Sequence, residues 1–292
     1  VELARRLPVE IKTSWQAQIE PFAPTMHSIG IEHLTIEFQP DPIQFLGHFA
    51  AVGLNAIEFS RVYNSFVRHL TIINSDTAIH LTHSHFCTIS NIEFQHTENR
   101  YKNEFVLEKF ALLPHSGHHG IKLDMSADNL LMQLDFKTRM WHDVSFDWYS
   151  RMNVLSNSNG IDFAIDMHRS ANYLNLVTNV TCGEASRVFS SSGDLNRGPH
   201  TSWSTFHNIR ASLSTQEIVL PPSTGLKAFR DCNFIGIPTA AQDAMPSSLQ
   251  GTWIQSDHSG IENLFLYQFN KRFGLIITTL SPTTTTTTTT ST

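Results

Sequence analysis

Charge is scarce in this sequence. Of its 292 residues only 16% are Asp, Glu, Lys or Arg, against roughly 25% in an average soluble domain. The net charge is -6 and no basic stripe is visible, so bulk nucleic-acid binding is not expected. Cysteine is scarcer still, with only Cys87, Cys182 and Cys232. Three are too few for a disulfide scaffold, an odd number leaves at least one thiol free, and the spacing fits no zinc motif. The expectation is three buried small side chains with room for one bridge. No run approaches the roughly 18 apolar residues of a membrane span. The sequence opens at Val1 with neither initiator Met nor signal peptide, so a processed or truncated product is expected. Helical patterns are few. Residues 41–52 could form a short turn and 99–113 a loop or short helix, while 214–224 and 236–250 read as loops.

Against these absences stands a repeat. NAIEFSRVYNSFVRHLTIINSD (55–76) and TAIHLTHSHFCTISNIEFQHTE (77–98) are both 22 residues long. Ile57 matches Ile79, Phe59 matches Leu81, Val67 matches Ile89, Leu70 matches Ile92 and Ile72 matches Phe94. The same in-out-in triplet recurs in HLTIEF (33–38), GIKLD (120–124), HDVSF (142–146), GIDFAID (160–166), NLVTNV (175–180), AFRDCNF (228–234) and GIENLFL (260–266). The interval from Ile121 to Ile161 reads as one long, irregular level. Periods of 20–50 residues mean stacked units. Strands this short, with turn residues between them, pair with the levels above and below, about 4.8 Å apart, as an all-β parallel β-helix or solenoid with loop insertions. A β-sandwich is the rival, but its strands run longer and its turns come every 8–12 residues. The expected organisation is an N-terminal cap or docking arm over 1–27, the β-helix over 28–280, and an extended Thr-rich tail over 281–292.

GHFAAVGLNAIEF, SFVRHLTIINSDTAIHL, SGHHGIKLD, GIDFAIDMHRSANYLNLVTNV and SSSGDLNRGPH followed by TFHNI carry a family resemblance. Over roughly 28–265 the chain resembles secreted, single-stranded right-handed parallel β-helix proteins of the pectate-lyase-like superfamily. That resemblance implies the fold. Its members include polysaccharide lyases, glycoside hydrolases and non-catalytic tail or adhesion modules, so it does not by itself imply one activity. The paired-aspartate pattern of the polygalacturonase-type hydrolases is not evident.

Polar residues concentrate between His118 and His200. In GIDFAIDMHRS, alternation places Ile161, Phe163, Ile165 and Met167 inward and Asp162, Asp166 and His168 outward on one face. Asp124 and Lys122 point outward from GIKLD. A hydrolase needs two carboxylates roughly 5–9.5 Å apart, and a lyase needs a base with a cation beside the uronate, Ca²⁺ included. Asp124, Asp162, Asp166, His168 and Arg169 are the candidate catalytic residues. The same outward Asp and His positions would serve a structural hydrogen-bonded ladder. Trp141, His118, His119, Arg197 and His200 are candidate glycan contacts, with a buried cap or a turn lock as the alternative. The 16 histidines are spread over many levels, so no transition metal and no obligatory cofactor are expected, with Ca²⁺ reserved for the lyase case.

Asn179-Val180-Thr181 is an N-glycosylation sequon. Thr283, Thr284, Thr285, Thr286, Thr287, Thr288, Thr289 and Thr290 form an unbroken run after Pro282 and read as O-glycosylated. Extended, the twelve-residue tail would reach about 40 Å, far enough to touch a neighbouring copy. Together these features lead to the expectation of an extracellular or cell-surface glycoprotein filament subunit, contacting copies of itself head to tail. The competing classes are a secreted lyase or hydrolase acting on an acidic polysaccharide and a non-catalytic glycan-binding module.

Overall fold

The computed structural model describes residues 10–18, 21–39, 54–97, 116–168, 170–189, 199–213, 215–218, 229–238, 251–254 and 260–274. The Thr-rich tail, residues 1–9 and 19–20 of the N-terminal arm, the segments 41–52 and 99–113, Arg169 and Arg197 lie outside these residues.

The described chain is almost all β. In order come β1 (Met26–His27), β2 (Gly30–Glu37), β3 (Asn55–Ser60), β4 (Val62–Tyr63), β5 (Phe66–Ile73), β6 (Thr77–Thr82) and β7 (Thr88–Gln95). There follow β8 (Gly117–Asp124), β9 (Leu130–Phe136), β10 (Met140–Asp147), β11 (Val154–Gly160), β12 (Ile165–His168) and β13 (Asn172–Tyr173). Then come β14 (Leu176–Thr181), β15 (Thr201–Ser202), β16 (Thr205–Arg210), β17 (Phe229–Arg230), β18 (Cys232–Ile235), β19 (Gly251–Ile254) and a helix, α1 (Leu264–Phe273).

All named pairings are parallel. Nine strands form one sheet in the order β19-β18-β16-β14-β11-β9-β7-β5-β2, and five form a second in the order β12-β10-β8-β6-β3. A third, of short strands, runs β13-β15-β17. From β5 to β12 the chain alternates between the nine-stranded and the five-stranded sheet, rising one level each time it returns. Stacked parallel sheets of this kind are compatible with a parallel β-helix. Asn55 pairs with Thr77, Ile57 with Ile79 and Phe59 with Leu81, while Val67 pairs with Ile89, Leu70 with Ile92 and Ile72 with Phe94. The 22-residue repeat is therefore the register itself.

That register explains the core. One column stacks Ile57, Ile79, Ile121, Val144 and Ile165, and the next Phe59, Leu81, Leu123, Phe146 and Met167, all buried. From the facing sheet come Val67, Ile89, Leu131, Leu155, Val177, Phe206 and Phe234. Phe94 and Phe136 stack with ring centres 4.2 Å apart. Each such side chain contributes about 1.5–3 kcal/mol by burial. The three cysteines are free and buried in the same interior, so the one bridge allowed for is absent.

Seven strands of the large sheet carry a left-handed residue at the same place: His33, His69, Asn91, Gln133, Asn157, Asn179 and Asn208. Four of the seven are Asn, the side chain that tolerates this conformation best after glycine. This column bends the sheet along its length.

Three expectations change. Ile121 pairs with Val144, so the interval 121–161 holds more than one level. Residues 161–162 form a turn, 163–164 belong to no strand, β12 starts only at Ile165, and Ile161 is 40% exposed. Strand alternation therefore cannot be extended back to Asp162. The apolar GIENLFL is not a strand. Asn263 caps α1 by accepting from the Leu266 backbone, Lys271 and Arg272 sit in the last turn, and Gly274 closes it with φ 66°. These are ordinary helix-end signals.

Candidate functional site

The five-stranded sheet presents two polar rows on the side away from its apolar columns. One runs Glu58, His80, Lys122, Ser145, Asp166, and the other Ser60, Thr82, Asp124, Asp147, His168. Strict alternation would turn His119 and His142 inward, two residues before Ile121 and Val144. The strands break alternation at Gly120 and Asp143. A Cβ on Gly120 would collide with the ring of core Phe136 and lie 2.5 Å from the Asp143 carbonyl oxygen. Only glycine fits there. Asp143 is buried, accepting from Arg187 Nη2 at 3.0 Å and the Ala164 amide at 2.7 Å. His142 then lies on the polar side, with Nδ1 3.4 Å from Asp166 Oδ2.

At the centre, Asp124 and Asp147 occupy neighbouring strands in register. Lys122 Nζ donates to Asp124 Oδ2 at 2.8 Å and stands 3.6 Å from Asp147 Oδ2. His80 Nε2 lies 2.6 Å from the same Asp124 oxygen, and Thr82 Oγ1 is 3.1 Å from that nitrogen. Asp124 Oδ1 is buried and accepts no hydrogen bond from a described residue. Asp166 Oδ2 accepts from Ser145 Oγ at 3.0 Å and lies 3.2 Å from His168 Nδ1. The side chains of His80 and Lys122 stay 26% and 23% exposed, while those of Asp124 and Asp147 are at 12% and 5%. The two carboxylates are thus more deeply buried than the His80 and Lys122 side chains beside them.

Environment separates the two central carboxylates. Burial pushes Asp147 up to about 6, with Asp124 and Asp166 adding to the rise and His168 and Lys122 opposing it. Burial also raises Asp124, but the His80 hydrogen bond and the Lys122 ammonium outweigh it and hold Asp124 below the usual carboxylate range. Asp166 is likewise low, because His142 and His168 overcome its burial. Burial keeps His119 well below the ordinary imidazole value, assisted by His118 and His142.

Of the sequence candidates, Asp124, Asp166 and His168 come together here, with His118 and His119 alongside. Trp141 is half-buried beside them, its ring edge-on to His142 at 6.4 Å and its carbonyl accepting from Arg187 Nη1. Asp162 does not join them. It is buried, accepts from Ser186 Oγ at 2.8 Å and lies 3.3 Å from Arg187 Nε, which makes it part of an internal ion network. His200 is buried, and its carbonyl accepts from the Asn172 backbone amide. Asn179 Nδ2 donates to Asn157 in the bent column.

Sequence reasoning passed over Asp147, His142, His80 and Ser145. The signal for Asp147 was present. Once HDVSFD is aligned under GHHGIKLD, Asp147 falls on Asp124 and His142 on His119.

Comparison with protein-family models, with curated proteins and with solved structures found no match for this chain.

Proposed function

We propose that the chain is a secreted glycoside hydrolase acting on a polysaccharide, built on a right-handed parallel β-helix of the pectate-lyase-like kind. The observation that carries this reading is the Asp124–Asp147 pair. Two carboxylates share one lysine, and their environments drive them apart in acidity. Paired carboxylates of opposed acidity are what hydrolysis of a glycosidic bond requires.

In this reading Asp147 is the proton donor, protonated below about pH 6. It gives its proton to the bridging oxygen as the bond from that oxygen to the anomeric carbon breaks. Asp124, held ionised by Lys122 and His80, takes a proton from water as the water oxygen bonds to that carbon. The products are two sugar ends, with the Asp124 proton returned to solvent and Asp147 reprotonated. Lys122 fixes both carboxylates, and His80 and His168, partly exposed beside them, favour an acidic sugar.

Incubation with a panel of acidic polysaccharides tests the proposal. New reducing ends without unsaturated uronate are expected, and both Asp124→Asn and Asp147→Asn should abolish them. Unsaturated uronate would assign a lyase instead. Absence of turnover across the panel, or unchanged turnover in either variant, overturns the reading.

A further inference from the structure

The hydrolase dyad leaves unused the other half of the same polar face. His118 and His119 on β8 and His142 on β10 gather there. Their ring centres are 3.9 Å apart for His118–His119, 5.2 Å for His119–His142 and 5.8 Å for His118–His142. One nitrogen from each lies within 4.8 Å of the others. Three imidazoles this close gain little by packing on one another, and each brings a lone pair or a positive charge.

We propose that His118, His119 and His142 bind one divalent transition-metal ion of the zinc type. Three further observations support the assignment. The break in strand alternation at Gly120 and Asp143 turns His119 and His142 to the same side, and it costs a buried carboxylate that Arg187 must compensate. Such an arrangement has no packing advantage over a regular strand. Behind His142, Asp166 Oδ2 faces Nδ1 at 3.4 Å. A carboxylate behind a ligating imidazole fixes its tautomer and strengthens it as a ligand. An all-imidazole set selects zinc, copper, nickel or iron over magnesium and calcium, and three histidines leave a fourth position open.

His142, Asp166 and His168 are also mutually close, so the face offers a second conceivable position. It is the poorer one. Asp166 Oδ2 already accepts from Ser145 and lies against both histidines, which suits it to orienting His142 rather than to replacing a nitrogen ligand.

The test is binding, with Zn²⁺ as the probe. The full chain, stripped with chelator and titrated with Zn²⁺, is expected to take up one equivalent and to unfold at a higher temperature when loaded. His119→Ala and His142→Ala should each weaken binding about 100-fold or more, and Asp166→Asn about tenfold. His33 and His69 stack on the surface with ring centres 4.7 Å apart, so the double variant His33→Ala/His69→Ala should leave the affinity unchanged. Absence of saturable binding overturns the proposal, and so does equal loss in the surface pair. If a site variant fails to fold, long-range ¹⁵N imidazole spectra of the parent chain decide. Three coordinating nitrogens shift together at one equivalent, or the assignment is wrong. Turnover plays no part in this readout, so the hydrolase reading stands or falls separately.

Discussion

Two stacks of polar side chains run up this molecule, and they are built in opposite ways. At the turns, Asn129, Asn153 and Asn175 hand one another hydrogen bonds. Asn153 Oδ1 accepts from the Asn129 backbone amide at 3.1 Å and from its Nδ2 at 3.0 Å, while Asn153 Nδ2 donates to the Ser126 carbonyl at 3.0 Å. Ser84, Ser126 and Ser150 do the same a few residues earlier. These groups are neutral, and donor meets acceptor at each level. On the outer side of the five-stranded sheet, the same parallel register places carboxylate beside carboxylate and imidazole beside imidazole. Identical geometry satisfies one stack and opposes the other. A buried polar stack that is satisfied accounts for itself through stability. One whose members oppose each other must be held by the surrounding fold, and such conflict marks a functional site.

The sharpest way to break this contrast is to neutralise one member of each stack. Asp147→Asn should lower kcat/KM on the responsive polysaccharide about 10³-fold while leaving the chain at least as stable as the parent by denaturant unfolding. Asn153→Ala should do the reverse. It strands the Asn129 backbone amide, while the Ser126 carbonyl keeps the Arg151 amide, and should cost about 2 kcal/mol of stability without changing turnover per folded molecule.

A third measurement uses pH. Asp147 is faced by Lys122 and Asp124 from β8 and by Asp166 and His168 from β12. Activity that needs its proton should fall about tenfold per unit above pH 6, the value to which burial raises it. The same shift makes ionised Asp147 a burden on the fold. Its favourable contribution is complete below the ordinary carboxylate value near 3.8 and is lost as pH rises through about 6. Asp147→Asn should therefore gain stability relative to the parent over that interval, measured as the difference between their urea midpoints. The smallest effect is expected for Ser150→Ala, about 1 kcal/mol. Ser150 Oγ donates to the Leu123 and Asp147 carbonyls, which flank the site, but it touches none of the charged atoms.

Much of the fold was legible because its repeat is one of apolar spacing. Ile57 on Ile79 and Val67 on Ile89 could be aligned by eye, and stacking makes that alignment the hydrogen-bond register. The site was legible only in part. Asp124, Asp166 and His168 follow from strand alternation, and alternation holds where they stand. His142 was hidden by the break at Asp143, which depends on Arg187 reaching back 44 residues to the Asp143 carboxylate. Asp162 was misplaced for the converse reason. Its segment looks alternating, yet the chain turns there and the carboxylate is drawn inward to Arg187 and Ser186. Helix α1 was missed because its apolar residues were read as one more strand, although Asn263 and Gly274 mark its ends.

The docking of α1 has a consequence for the order of folding. Asn263 Nδ2 donates to Ser156 Oγ across 107 residues of sequence, Leu264 N donates to Thr178 Oγ1, and the Glu262 carbonyl accepts from Asn208. Its acceptors on β11 and β14 are aligned only once those strands have stacked, whereas neighbouring levels meet across shorter separations, from 19 residues (Cys232 to Gly251) to 42 (Thr77 to His119). Closing so long a loop is slow until its landing site exists. The helix is thus a late clasp on a stack that zips up level by level. Cutting it away should quicken unfolding far more than it slows folding.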